Sequence, residues 1–247
     1  MNSRSLLLPV LALLPFAAVP VRAGMIAVAA AAPKPVPAGP SRRAAMAPFQ
    51  GIHAYVCGLH FYNGQMGRQV LAHHFCARVN ADLMQCVIYD SNRPDARLIG
   101  VEYVLSARRF RTLPPEEQRL WHSHAYEVKS GLLAAPGLRD AAERALMKEF
   151  APTYGKTFHT WQVDRDALPL GLPQLMMALT ADGQADPRLV QERDQAAGVP
   201  AETRRRQRAN LPDPIIEPNA DAWRSGAPMQ LVLEPVGPPK VQKIPMH

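Results

Sequence analysis

The chain has 247 residues, 47% apolar and 20% charged, which suits one ordinary domain with appendages and a real core. Its formal charge is +7, but the arginines that dominate it are dispersed except at Arg204, Arg205, Arg206 and Arg208, and aromatics make up only 6%. A nucleic-acid binder would carry a basic stripe interleaved with aromatics. That class is therefore set aside, and a weak attraction to anionic lipid surfaces is the more natural consequence of the charge.

Residues 1–23 read as a signal peptide: Arg4 opens it, an apolar stretch follows, and Ala23 offers a small residue for cleavage. Pro9, Pro15 and Pro20 interrupt the run, which is shorter than the roughly 20 residues a spanning helix needs. An exported protein, periplasmic or secreted, is expected, with an uncleaved anchor as the alternative. Residues 24–47 form an Ala/Pro-rich linker, 48–227 the domain, and 228–247 a Pro-rich tail. Both Pro-rich termini are expected to be disordered.

Within the domain, Phe49, Ile52, Val56 and Leu59 stand at helical spacing and predict a helix over 49–61, with His53, Cys57 and His60 on a second stripe. Asn63-Gly64 ends it. VLAHHFCARV and QCVIYDS bracket Asn80-Ala81-Asp82 and predict a hairpin. RLIGVEYVLS is a strand, LPPEEQRLW a short helix, and LWHSHAYEVKSG a strand. LRDAAERALMKEFAPTYG reads as a helix with a glycine stop, KTFHTWQVDR as a strand, and LPLGLPQLMMALT as a loop running into a strand. PRLVQERDQAAG and PAETRRRQRAN read as surface helices. The expected fold is α+β: a single domain with a mostly antiparallel sheet flanked by helices.

The chemistry concentrates on histidine. On an extended 120–130, His122, His124 and Tyr126 share one face and Glu127 the other. Two histidines at i, i+2 stand about 7 Å apart along a strand and can reach one ion. The spacing excludes the helical two-His motif of zinc proteases, which needs i, i+4. Further ligands must come from elsewhere: His60, His74 (with Cys76 on the same face) and His159. His60, His74, His122, His124 and His159 are thus the candidate metal ligands, for a transition metal or haem, since imidazole serves zinc, copper and iron alike. Structural histidines and a proton-transfer or hydrolytic site are the alternatives.

Serine chemistry is weaker. Ser123 falls on the opposite face, and Ser130 lacks the strand–turn–helix setting of a nucleophile elbow. Three cysteines in an exported chain suggest one disulfide and one free thiol. A hairpin centred near Ala81 sets Cys76 opposite Cys86, as a bridge or as two buried thiols. Lys129 is expected to pair with Glu127, and Asp164 with Arg165. Met176 and Met177 suit a core strand better than an apolar ligand surface.

Taken together, HHFCARVNADLMQCVIYDS, ARLIGVEYVLS, LWHSHAYEVKSG, YGKTFHTWQVDR and LPLGLPQLMM resemble the motif series of the oil-body-associated protein (DUF1264) family, over Phe49 to Trp223. The resemblance implies association with lipid droplets for the plant members and brings no catalytic mechanism. The export-like N-terminus and Pro-rich extensions depart from the plant pattern. Two functions are therefore expected: a non-enzymatic protein at a lipid or anionic membrane surface, or a His-lined metal- or haem-binding protein, possessing enzymatic activity or not. The oligomeric state is left open.

Overall fold

The segment expected as the first helix is a strand. The computed structural model describes residues 46–226 and 228–237; the expected signal peptide, nearly all of the linker and the end of the tail lie outside the described residues. In chain order the elements are α1 (Ala47–Gln50), β1 (Ile52–Tyr62), β2 (Gln65–Arg78), β3 (Leu83–Tyr89), β4 (Leu98–Ser106), α2 (Ala107–Phe110) and α3 (Pro115–Gln118). Then come β5 (His122–Ser123), α4 (Ala125–Ser130), α5 (Asp140–Phe150), β6 (Thr153–His159), β7 (Gln174–Ala178), α6 (Pro187–Ala197) and α7 (Ala201–Gln207), with a short 3-10 turn at Ala222–Ser225.

β1 misled the periodicity because it is covered on both faces: every residue from Val56 to Tyr62 is buried. Apolar residues then fall on both sides of the pleat, and the alternation that marks a half-buried strand disappears. Asn63-Gly64 does not stop a helix. It turns β1 into β2, with Gly64 at φ 85°, the positive region that hairpin turns of this kind require.

The sheet closes. β1 to β4 run as an antiparallel meander, β6 pairs with β4 from Gly100–His159 to Ser106–Thr153, and β7 joins β6 back to β1. The result is a six-stranded antiparallel barrel, to which β5 adds on β6. The flanked sheet of the sequence reading is thus a closed barrel with helices outside it. Closure leaves no free edge among its six strands.

Tyr62, Val70, Ala72, Ile88 and Met176 form one buried cluster, and Leu59, Phe61, Leu132, Leu175, Met177 and Leu179 another. Met176 and Met177 are both core, as expected for alternating faces of β7. At about 25 cal/mol per Å² of apolar surface, such layers dominate the favourable side of folding.

Several local expectations change. α5 ends at Phe150, and Gly155, expected as its stop, lies inside β6. Lys129 pairs with Asp213 rather than Glu127, Asp164 takes Arg68 and the Tyr62 hydroxyl, and Arg165 pairs with Asp166. The Arg204–Arg208 cluster is not a free basic patch: Arg204 pairs with Asp140, Arg205 with Asp182, Arg206 with Glu202, and buried Arg208 with Glu143. Of the expected tail, Met229 accepts from Asn63 (2.9 Å), and the Gln230 side chain bonds the Leu175 backbone at 2.8 and 2.9 Å. No helix of the described residues is long and apolar enough to cross a membrane.

Candidate metal centre

The inward parity of the barrel strands brings together side chains that are far apart in sequence. Cross-strand pairs link Val56 to His74, Cys76 to Cys86, Cys86 to Glu102, Glu102 to Thr157, and Gly155 to His122. All five expected ligands, His60, His74, His122, His124 and His159, are buried at 3% exposure or less, and they surround one carboxylate, Glu102. His74 Nε2 stands 2.9 Å and His60 Nε2 4.0 Å from Glu102 Oε2. His124 Nε2 stands 3.1 Å and His122 Nε2 3.4 Å from Glu102 Oε1. His159 Nε2 lies one step back, 3.3 Å from His60 Nδ1.

His122 and His124 converge for a reason other than strand parity. Only His122–Ser123 is extended; His124 already has helical φ and ψ, and α4 begins at Ala125. The helical turn carries Tyr126 outward to Asp182 and brings Glu127 back to the chamber that His124 lines. Glu127 therefore faces the same space as the histidines, contrary to the alternation expected on an extended strand. Ser123 caps the Ala125 N–H and Ser130 bonds the Glu127 carbonyl, so neither serine is poised as a nucleophile.

Glu102 is the residue sequence reasoning missed, with Glu127, Thr153 and Gly155. Its signal was present: an acid alone in the apolar run LIGVEYVLS, in phase with Gly100 and Val104. Gly155 leaves the room. A Cβ there would overlap Glu102 Oε1 and come within 2.6 Å of His122 Nε2. His53 and His73 stay outside the site; His53 is exposed, and His73 bonds the Tyr55 hydroxyl at 2.7 Å.

The electrostatics follow from burial. Burial alone would raise the Glu102 pKa, yet His122, His124 and His74 hold it well below the usual carboxylate value. Burial, and then neighbouring His74, push His60 well below and His159 down to about 3. Burial also lowers His124 despite Glu102 beside it. For His122 burial opposes the charge, but Glu102 outweighs it and raises the pKa. Burial lifts Glu127 to about 8. Both ring nitrogens of His74 and of His122, and Nδ1 of His159, lack any partner in hydrogen-bond geometry.

His124 is the most informative ring. The Thr153 hydroxyl donates its only proton to the Phe150 carbonyl at 2.7 Å, so it accepts from His124 Nδ1–H at 2.8 Å. That places a proton on Nδ1 and leaves Nε2 for the Glu102 oxygen, 3.1 Å away. A proton between them makes a charge-assisted hydrogen bond, and a metal ion there would bind both atoms.

A space of about 10 Å³, room for one water-sized sphere, is bounded by His60, His74, Glu102, His124, Glu127 and Phe150, and His122 stands outside this lining. A haem has no room there. Cys76 and Cys86 form a disulfide in its wall, as the hairpin register allowed. Cys57 is free but buried, its thiol pushed up to about 11 by burial, which does not suit a nucleophile. Phe150 and Val104 line both this space and an outer hollow of about 300 Å³ flanked by Arg78, Asp82 and Glu149.

Comparison with known proteins gives the relationship. The family model described as "Protein of unknown function (DUF1264)" matches residues 46–212. The chain belongs to the DUF1264 family. It is 46% identical over 199 residues to oil body-associated protein 1B of Arabidopsis thaliana, covering 80% of this chain and 83% of that protein. It is 49% identical over 183 residues to oil body-associated protein 1A of Zea mays, covering 73% and 77%. No solved structure matches. The DUF1264 match spans the five clustered histidines, from His60 to His159.

Proposed function

We propose that this DUF1264 protein binds a transition metal inside its barrel, through the imidazoles of His60, His74, His122 and His124 with Glu102. The observation that carries this reading is the convergence of four buried imidazoles on one buried carboxylate, Glu102, in two compact sets of ligand atoms. Imidazole-rich donors with a single carboxylate suit zinc, iron, copper or nickel better than magnesium or calcium, which take oxygen sets. His159 acts one step out, orienting His60 through the 3.3 Å ring contact, as second ligands commonly do for metal-bound histidine. The test is elemental analysis of purified protein, with melting measured before and after chelation. A metal present at a thousand times its Kd adds about 4 kcal/mol, or roughly 8–16 °C for a chain of this size. Substoichiometric metal after reconstitution, with an unmoved melting temperature, overturns the reading.

A second reading, association with a lipid-body surface, is supported by the relatives' names. The outer sheet face offers a place for it: Tyr55, Phe75 and Tyr89 are in ring contact there, with Phe49 61% and Tyr103 43% exposed nearby. Flotation with triacylglycerol droplets and with anionic vesicles tests it; absence from both floating layers at low salt counts against it. Export through residues 1–23 is likewise a proposal, resting on their composition. N-terminal sequencing of the protein from its own host checks it, and an intact Met1 overturns it.

A further inference from the structure

The chamber has more donors than one ion can use, and they are divided. His60, His74 and Glu102 form one compact set, and Glu102, His122 and His124 another, each with ligand atoms within 4.8 Å of one another. Two ligands on one ion bonded at about 2.0–2.1 Å lie no more than about 4.2 Å apart, and at about 2.8–3.4 Å when adjacent. The contacts to Glu102 at 2.9, 3.1 and 3.4 Å match such edges, and His60 at 4.0 Å falls within the limit. The division follows the two oxygens of the carboxylate. Oε2 faces His60 and His74, while Oε1 faces His122 and His124.

We infer that the barrel holds a pair of divalent transition-metal ions bridged by Glu102, one on His60 and His74 with Oε2, the other on His122 and His124 with Oε1. This rests on the metal reading above and goes further, in ion number and in the role of Glu102. A carboxylate that offers each oxygen to its own pair of imidazoles is the donor arrangement of a bridge, and paired ions in proteins stand about 3.5–4 Å apart. Gly155 supports the same assignment, because the space a Cβ would take is the space between Glu102 Oε1 and His122 Nε2. The unpartnered ring nitrogens fall on both sides, on His74 and on His122.

The experiment uses the full chain, stripped with a chelator and titrated with Cu(II) alone, with metal per chain measured by elemental analysis and spin counted by EPR. The bridged pair predicts two equivalents and loss of most of the Cu(II) EPR intensity through coupling. His74→Gln is expected to bind one equivalent and to regain an uncoupled signal; circular dichroism confirms that the variant is folded. Two equivalents with full uncoupled intensity overturn the bridge. One equivalent in the unmodified protein overturns the pair and leaves the single-ion reading standing. No bound copper, together with none for Zn(II), overturns both.

Discussion

Two clusters of buried charge lie within this domain, and they are built in opposite ways. Around α4, Arg193 donates to the carbonyls of Leu132, Val199 and Gly131 at 2.9, 2.9 and 2.5 Å, and to Asp194 at 2.7 Å. Arg208 donates to Val128 and Leu133 at 2.7 and 2.9 Å and pairs with Glu143. Most donors of these guanidiniums are satisfied by the protein. Inside the barrel, by contrast, imidazole nitrogens of His74, His122 and His159 have no hydrogen-bond partner. A buried polar group without a partner costs about 1–3 kcal/mol. The difference teaches that the arginine cluster closes on itself as structure, whereas the histidine cluster leaves ring nitrogens without a protein partner, which is where the proposed ion would act. The two are joined, since the arginines hold the carbonyls of Val128, Gly131, Leu132 and Leu133, just after His124 and Glu127 in the chain.

That contrast can be broken at several points. Arg208→Ala leaves Glu143 buried without its partner and is expected to cost about 3–5 kcal/mol in denaturant unfolding of the metal-free protein. His74→Gln, in the same assay, is expected to cost less than Arg208→Ala, since Glu102 keeps His122 and His124 when its 2.9 Å contact to His74 is lost. Equal losses in the two variants would erase the distinction. Replacing Cys76 and Cys86 together by serine opens the wall of the chamber and should cost about 2–3 kcal/mol by loop entropy. Thr153→Val removes the acceptor that fixes the His124 tautomer and is expected to weaken metal binding by about 10–100-fold, with the fold retained. Competition with a chelator of known affinity measures it, and an unchanged affinity would remove Thr153 from the site.

The smallest effect is on pH. Glu127 and His122 have raised folded pKa values, so their contribution is full at low pH and falls as pH rises, for Glu127 through about 8. His60 and His159 have lowered values, so theirs is full above the unfolded pKa near 6.5 and is lost as pH falls below it. The metal-free protein should therefore melt highest near pH 6.5, and Glu127→Gln should flatten the alkaline limb by a degree or two.

Much of this was legible in the sequence. The β2–β3 hairpin, its register at Cys76 and Cys86, and the helices α5 to α7 follow from turn residues and apolar spacing. His122 and His124 were named because a pair at i, i+2 shares a face, and His60, His74 and His159 as the further ligands such a pair would need. Glu102 and Glu127 were not. Glu102 becomes a ligand candidate only when β6 closes the barrel over it, a non-local event that no spacing within LIGVEYVLS encodes. Glu127 was placed on the wrong side because one helical turn after Ser123 changes the period from two to 3.6. β1 was misread because a strand buried on both faces carries no alternation to read.

The partition made by Phe150 and Val104 has a consequence in time rather than in energy. Both side chains separate the central chamber from the outer hollow, and Phe150 is 3% exposed. An ion held there as proposed would leave past this wall or through an opened strand pair. Exchange with free ions is then paced by opening events of the barrel, whatever the equilibrium constant. On the proposed metal reading, the ion would enter most readily during folding, and the folded protein would keep a record of which ion was present when the last strand closed.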